Sequence, residues 1–203
     1  YEGMHIVEGD KKIVEDLRRS GKLLKFTKFS HSYPHCWRCR NPVIFRATKQ
    51  WFVKIDHEGF REKVLGAIGG TTWVPPWGQE RIAGMVEERP DWCISRQRSW
   101  GVPIPALYCT KDDTVVMTEE TVSHIAAVFA EKGADAWFTE DAGLFVKPGT
   151  TCPECGGTEF RRETDIFDVW FESGSSHNSV VRKHPELAFP ADLYLEGTDQ
   201  YRG

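Results

Sequence analysis

No apolar run in this 203-residue chain approaches the roughly 20 residues needed to cross a bilayer, which excludes a membrane-spanning helix. The opening YEGMHIVEGD lacks the basic and apolar regions of a signal peptide, and the chain reads as cytosolic. Surplus positive charge is also missing. Twenty-six Lys and Arg stand against 30 Asp and Glu, a net charge of -4, so any RNA contact is confined to a local patch. No internal repeat is visible, which speaks against a stacked-repeat architecture. What is present is a hydrophobic content of 40%, enough for a core in one large domain or two small lobes. The sequence does not begin with Met and stops at Tyr201-Arg202-Gly203 shortly after an apolar run, the pattern expected of an internal piece of a longer protein.

Asp10, then Ile13, Val14 and Leu17 on one face, then Gly21 predict a short helix over 11–20. Leu23 to Phe29 alternates loosely into the Cys- and His-rich HSYPHCWRC, where Pro34 and the paired cysteines imply a tight loop. PVIFRATKQWFV (42–53) is rich in β-branched and aromatic residues and reads as two short strands or one bent one. Helices are expected over 57–67, ending at Gly69-Gly70, and over 79–88, closed by Pro90. A third runs from the Thr118 cap through about Lys132 with Val122, Ile125, Ala126 and Phe129 on one side and Gly133 as its stop. Strands are expected at 92–95 and 104–108, and nearly all-apolar buried ones at 168–172 and 193–196. Strands alternating with helices predict an α/β protein with insertions.

Four of the six cysteines form C-x-x-C pairs, and in a reducing compartment this spacing marks metal more often than cross-links. In CPECGG, Cys152 and Cys155 form a zinc-knuckle half-site, with two glycines that let backbone amides bend toward the sulfurs. A tetrahedral site needs two more ligands. Cys109 and Asp112 of CTKD keep the same gap and offer an oxygen for one sulfur; the alternative is a free pair of thiols in a hairpin tip. Cys36 and Cys39 make a second half-site with His31 and His35 nearby and no unclaimed C-x-x-C to complete it. Cys93, in an apolar strand, reads as a small core residue.

Arg96, Gln97 and Arg98 follow a strand, where an open α/β sheet presents ligand-contacting residues, and two guanidiniums there suit phosphate or RNA backbone. A solvated loop is the competing reading. His177 closes the turn-rich ESGSSH and taken alone reads as a surface histidine. Glu196-Gly197-Thr198-Asp199-Gln200 clusters carboxylates and glycine after an apolar triplet, a set of acceptors suited to ribose hydroxyls or an ammonium group.

In order, HSYPHCWRC, PVIFRATKQWFV, RPDWCISRQRSWGVPIP, FDVWFESGSSH and ADLYLEGTDQYRG resemble consecutive blocks of class I aminoacyl-tRNA synthetases, and of the isoleucyl enzymes in particular. The resemblance spans nearly the whole chain. It implies a partial Rossmann-type parallel sheet with connective insertions and a zinc-ribbon-like loop. By that resemblance, residues 1–40 are the tail of the editing insertion and 41–108 the return to the catalytic domain with a helical insertion. Residues 109–164 are then a small insertion with the Cys knuckle, and 165–203 second-half Rossmann strands. The implied chemistry is activation of isoleucine by ATP with Mg2+, then transfer to tRNA(Ile), by a monomeric cytoplasmic parent. Trp170 would wall the isoleucine pocket; Glu196, Gly197 and Asp199 would line the ribose side, with Gln200 beside the reacting groups. The HIGH and KMSKS signatures and the editing pocket are absent from the chain, so the piece is expected to be inactive alone. Zn2+ remains open, because some relatives carry a cysteine where Asp112 stands. A stand-alone zinc-ribbon RNA-binding module and an interaction module without ligand are the competing functions.

Overall fold

A computed structural model describes residues 1–197 and 200, and its contacts divide the chain into two units, Tyr1–Thr48 and the remainder from Lys49. In the first unit, helix α1 (Ile6–Arg19) begins five residues before the expected start. The His5 ring accepts from the Val7 amide, so Asp10 lies inside the helix instead of capping it. The expected stop holds. Gly21 at φ 68° lets Lys22 donate to the Leu17 carbonyl and Gly21 to that of Arg18, the paired bonds of a Schellman ending. Beyond it the unit is irregular apart from a tight turn closed by the His35–Pro42 bridge.

The second unit holds three small sheets, and every strand pair among the described residues is antiparallel. Strand β1 (Phe52–Val53) is all that forms of the strands expected over 42–53, and it pairs with β2 (Trp92–Cys93). Between them lie α2 (Phe60–Gly69) and α3 (Gly78–Glu87), both close to expectation. Arg61 of α2 donates to the carbonyls of Val86, Glu87 and Arg89 while holding Asp56, so one guanidinium satisfies the C-terminal end of α3. The expected strand 92–95 is split at Ile94, whose amide bonds Trp51 and whose carbonyl takes the Asp168 amide. The chain thereby passes into β3 (Ser95–Arg96), which pairs with β7 (Ile166–Phe167).

The main core lies around β4 (Leu107–Cys109), flanked by β5 (Val115–Val116) and β6 (Phe160–Arg162). Helix α4 (Glu119–Lys132) starts at a capping box between Thr118 and Thr121 and ends at Gly133, as expected. Its buried face differs slightly: Thr121 and Ile125 are inside with Phe129 against the core, while Ala126 is exposed. Helix α5 (Ala136–Thr139) brings Trp137 edge-on to Phe145, with ring centroids 4.8 Å apart, and Phe129 closes the cluster.

Two expected strands do not form among the described residues, and no parallel pair of the expected sheet is found there. Residues 168–172 turn into helix α6 (Val169–Gly174), because the Asp168 carboxylate caps the Trp170 amide. Residues 193–196 have no strand partner among the described residues, and Leu193 and Leu195 are 81% and 90% exposed. No helix among the described residues is long and apolar enough to cross a membrane.

Candidate metal centre and substrate cleft

Three turns in the chain share one backbone plan. In each, the carbonyl of the leading cysteine accepts from the amide four residues on and its amide donates to the carbonyl five residues on. Cys36 bonds Arg40 and Asn41 in this way, Cys109 bonds Asp113 and Thr114, and Cys152 bonds Gly156 and Gly157. The fifth residue is left-handed every time: Arg40 at φ 61°, Asp113 at 58°, Gly156 at 68°. This is a knuckle, which aims the first and fourth side chains at one point.

The β4–β6 pairing sets two of these knuckles face to face. Ligand atoms of Cys109, Asp112, Cys152 and Cys155 lie within 4.8 Å of one another. Cys109 Sγ is 3.5 Å from Cys155 Sγ, and Cys152 Sγ is 3.5 Å from an Asp112 oxygen. Cys109 and Cys152 are buried; Asp112 and Cys155 face solvent. The Thr114 amide and then the Cys155 thiol hold the Asp112 carboxyl well below the usual carboxylate range. The Gly157 amide favours the Cys155 thiolate, yet Asp112 and the Cys109 sulfur beside it prevail and push that thiol up to about 12. Four acids around one point repel each other as anions, and a divalent cation removes the conflict. The donor set and its convergence fit a closed tetrahedral Zn2+ site. The Cys36–Cys39 knuckle faces no second pair among the described residues, and His35 already holds the Arg40 carbonyl through Nδ1 at 2.6 Å.

Two clefts meet at Trp170. The first, about 700 Å³, runs between α3 and β2 and is lined by Arg89, Trp92, Arg96, Asp168 and Trp170 among others. The second, about 580 Å³, is lined by Trp170, Ser173, the stretch 193–197 and Gln200. Four of the five residues expected at the substrate, Trp170, Glu196, Gly197 and Gln200, thus line one cleft; Asp199 lies outside the described residues. Ser173 Oγ donates to Gln200 Oε1 at 3.0 Å, and Tyr194 bonds Ser176. His177 is exposed, its Nδ1 on the Gly174 carbonyl. Arg96 lies within β3 instead of after a strand, with its guanidinium on Asp168, while Arg98 is exposed.

The family model for class I tRNA synthetases (I, L, M and V) matches residues 6–203. The chain belongs to this family. Proteins named isoleucine–tRNA ligase from Moorella thermoacetica and Carboxydothermus hydrogenoformans are each 54% identical to this class I synthetase chain over all of it, and one from Geobacter sulfurreducens is 50% identical. The chain spans 22% of the length of each of these relatives.

Several residues that organise this synthetase segment escaped the sequence reading. Glu163, 8% exposed, accepts from Trp51 Nε1 at 2.7 Å, Tyr108 Oη at 2.6 Å and the amides of Thr164 and Asp165. Its partners are up to 112 residues away, so no local pattern announces it. Asp168 was expected to open a strand, although an aspartate before VWF with Gly174 beyond it is also a helix-cap signal. Six residues are too few for periodicity to separate helix from strand.

Proposed function

We propose that this chain is the part of an isoleucine–tRNA ligase that forms the isoleucine and ribose sides of the adenylate site. The observation carrying this reading is the second cleft, where Trp170, Glu196, Gly197 and Gln200 converge although 30 residues of sequence separate the first from the last. Trp170 offers the isoleucine side chain a rigid apolar face. Isoleucyl enzymes are themselves the standard example of how modestly such a pocket rejects valine, which is why they edit. The Glu196 carboxylate and the backbone at Gly197, joined by Asp199, accept from ribose hydroxyls. Gln200, whose carbonyl oxygen is held by Ser173, has its amide N–H groups left to donate toward the reacting carboxylate.

In the whole protein, a carboxylate oxygen of isoleucine attacks the α-phosphate of ATP, pyrophosphate leaves, and the acyl group passes to the terminal adenosine of tRNA(Ile). Mg2+ supplies positive charge to the phosphates when bound. The residues of this chain contribute positioning and hydrogen bonds, the terms that dominate such chemistry. Arg98 is the exposed cation suited to phosphate or RNA backbone, while the neighbouring Arg96 guanidinium is taken up by Asp168.

Cys109, Asp112, Cys152 and Cys155 would hold a structural Zn2+ that ties two loops of the 109–164 insertion together, and Cys36 and Cys39 offer half of a second site. In the same reading, residues 1–40 end an editing insertion, 41–108 return to the catalytic domain, and 165–203 belong to its second Rossmann half. The unpartnered Leu193–Leu195 stretch then joins a parallel sheet whose other strands lie in the rest of a monomeric, cytoplasmic enzyme.

The test is isoleucine-dependent ATP–pyrophosphate exchange by the full-length protein carrying this segment. Trp170→Ala is expected to raise the isoleucine KM at least tenfold and to erode the preference over valine, with the ATP KM unchanged. A wild-type protein without isoleucine-dependent exchange, or a Trp170→Ala variant with wild-type constants, refutes the reading.

A further inference from the structure

We propose that Asp168 is a positioning residue for substrate selection: its ion pair with Arg96 sets the direction in which helix α6 presents Trp170. The inference rests on Trp170 facing the substrate, the reading given above, and adds what holds it there.

Helix α6 passes through Ser175 and Ser176, both in the right-handed region, into a single π turn over His177–Val181, so its far end is continued by helix while its first turn has only orphan amides to hold it. Something outside it must fix its first turn. Asp168 is 4% exposed and spends both carboxylate oxygens on this task. Oδ1 accepts from the Trp170 amide at 3.3 Å, while Oδ2 accepts from Arg96 Nη2 at 2.6 Å and Trp92 Nε1 at 3.3 Å. The Asp168 amide donates to the Ile94 carbonyl at 2.7 Å. The cation is itself immobilised, because Arg96 Nη1 donates to the carbonyls of Cys93 and Ser95. A chain of hydrogen bonds, short at the ion pair and longer at the cap, therefore runs from the β2–β3 segment through one carboxylate into the backbone of Trp170. That side chain is the wall shared by both clefts. If the cap loosens, the indole is free to swing between them. The cost falls on the fit of a branched aliphatic side chain before it falls on nucleotide binding.

Asparagine caps a helix about as well as aspartate but carries no charge, so Asp168→Asn separates the ion pair from the cap. In the full-length protein, Asp168→Asn and Arg96→Met are each expected to raise the isoleucine KM about fivefold and to lower the isoleucine-to-valine ratio of kcat/KM by a similar factor. The ATP KM should stay within twofold. Arg96→Lys should restore most of the loss, and the double variant should be no worse than either single one, because both remove the same interaction. Active-site titration corrects each rate for misfolded enzyme. Should the variants lose only titratable sites while keeping the wild-type isoleucine KM and selectivity, or should their effects multiply in the double variant, Asp168 is a purely structural residue and the proposal fails. Trp170→Ala with wild-type constants would instead remove the functional reading on which it stands, and this inference with it.

Discussion

At the scale of single residues, the Glu163 carboxylate shows how a buried charge is tolerated. Burial opposes its ionisation, but Tyr108, Trp51 and two backbone amides outweigh that and hold it below the ordinary carboxylate range. Glu163→Gln is expected to cost about 1.5–3 kcal/mol by denaturant unfolding at neutral pH, the range for hydrogen bonds to charged groups. A carboxyl whose folded pKa is depressed stabilises the fold at neutral pH and loses that contribution as pH falls through the folded value. The wild-type protein should therefore lose stability in acid below about pH 4 more steeply than Glu163→Gln. Tyr108 shifts the other way: burial, then the Glu163 carboxylate, push its phenol up to about 12. Its contribution is present below pH 10 and declines between 10 and 12, a loss that Tyr108→Phe should remove from an alkaline stability profile. Gly101 is constrained by space as well as backbone. At φ 147° an L side chain is strained, and a Cβ would also push the Ile166 Cδ1 methyl from 2.5 Å, so Gly101→Ala should destabilise by about 1–3 kcal/mol in denaturant unfolding.

At the scale of elements, the metal reading makes the sharpest claim. The purified chain is expected to carry one equivalent of zinc by elemental analysis, and Cys152→Ser should abolish it and open the β5–β4–β6 sheet to hydrogen exchange. Asp112→Cys should hold zinc at least tenfold more tightly against a chelator, about 1.4 kcal/mol, because thiolate is the softer donor. The clustering of Cys109, Asp112, Cys152 and Cys155 was readable in the sequence because the two-residue gap, in C-x-x-C and in C-x-x-D alike, is a local rule that survives any tertiary context. So were α2, α3 and α4, whose glycines and caps act within a few residues of themselves. Strands were legible in part, at 52–53, 92–95 and 107–108, but not at 168–172 and 193–196, whose apolar runs suit a strand, a helix or an unpaired segment equally. What decides among them is a partner. Asp168 supplies a cap in one case, and in the other no strand among the described residues lies beside the segment. The substrate cleft was legible only as separate clusters, and the bond from Ser173 to Gln200 that joins two of them links residues 27 apart.

At the scale of the whole molecule, a segment covering 22% of its relatives lines two clefts that meet at Trp170 and carries none of the HIGH or KMSKS sequence. The isolated 203-residue chain is therefore expected to show no isoleucine-dependent pyrophosphate exchange, while still binding zinc; exchange at any rate above buffer would contradict this. The knuckles point beyond catalysis. Each is tied by two bonds between backbone groups alone, and the left-handed corner that allows them is filled by Arg40, Asp113 or Gly156. A scaffold that does not depend on its own ligand side chains can exchange one donor for another without losing its shape. Asp112 holds the fourth position of its knuckle as Cys155 does of its own, so the same loop displays an oxygen in one case and a sulfur in the other.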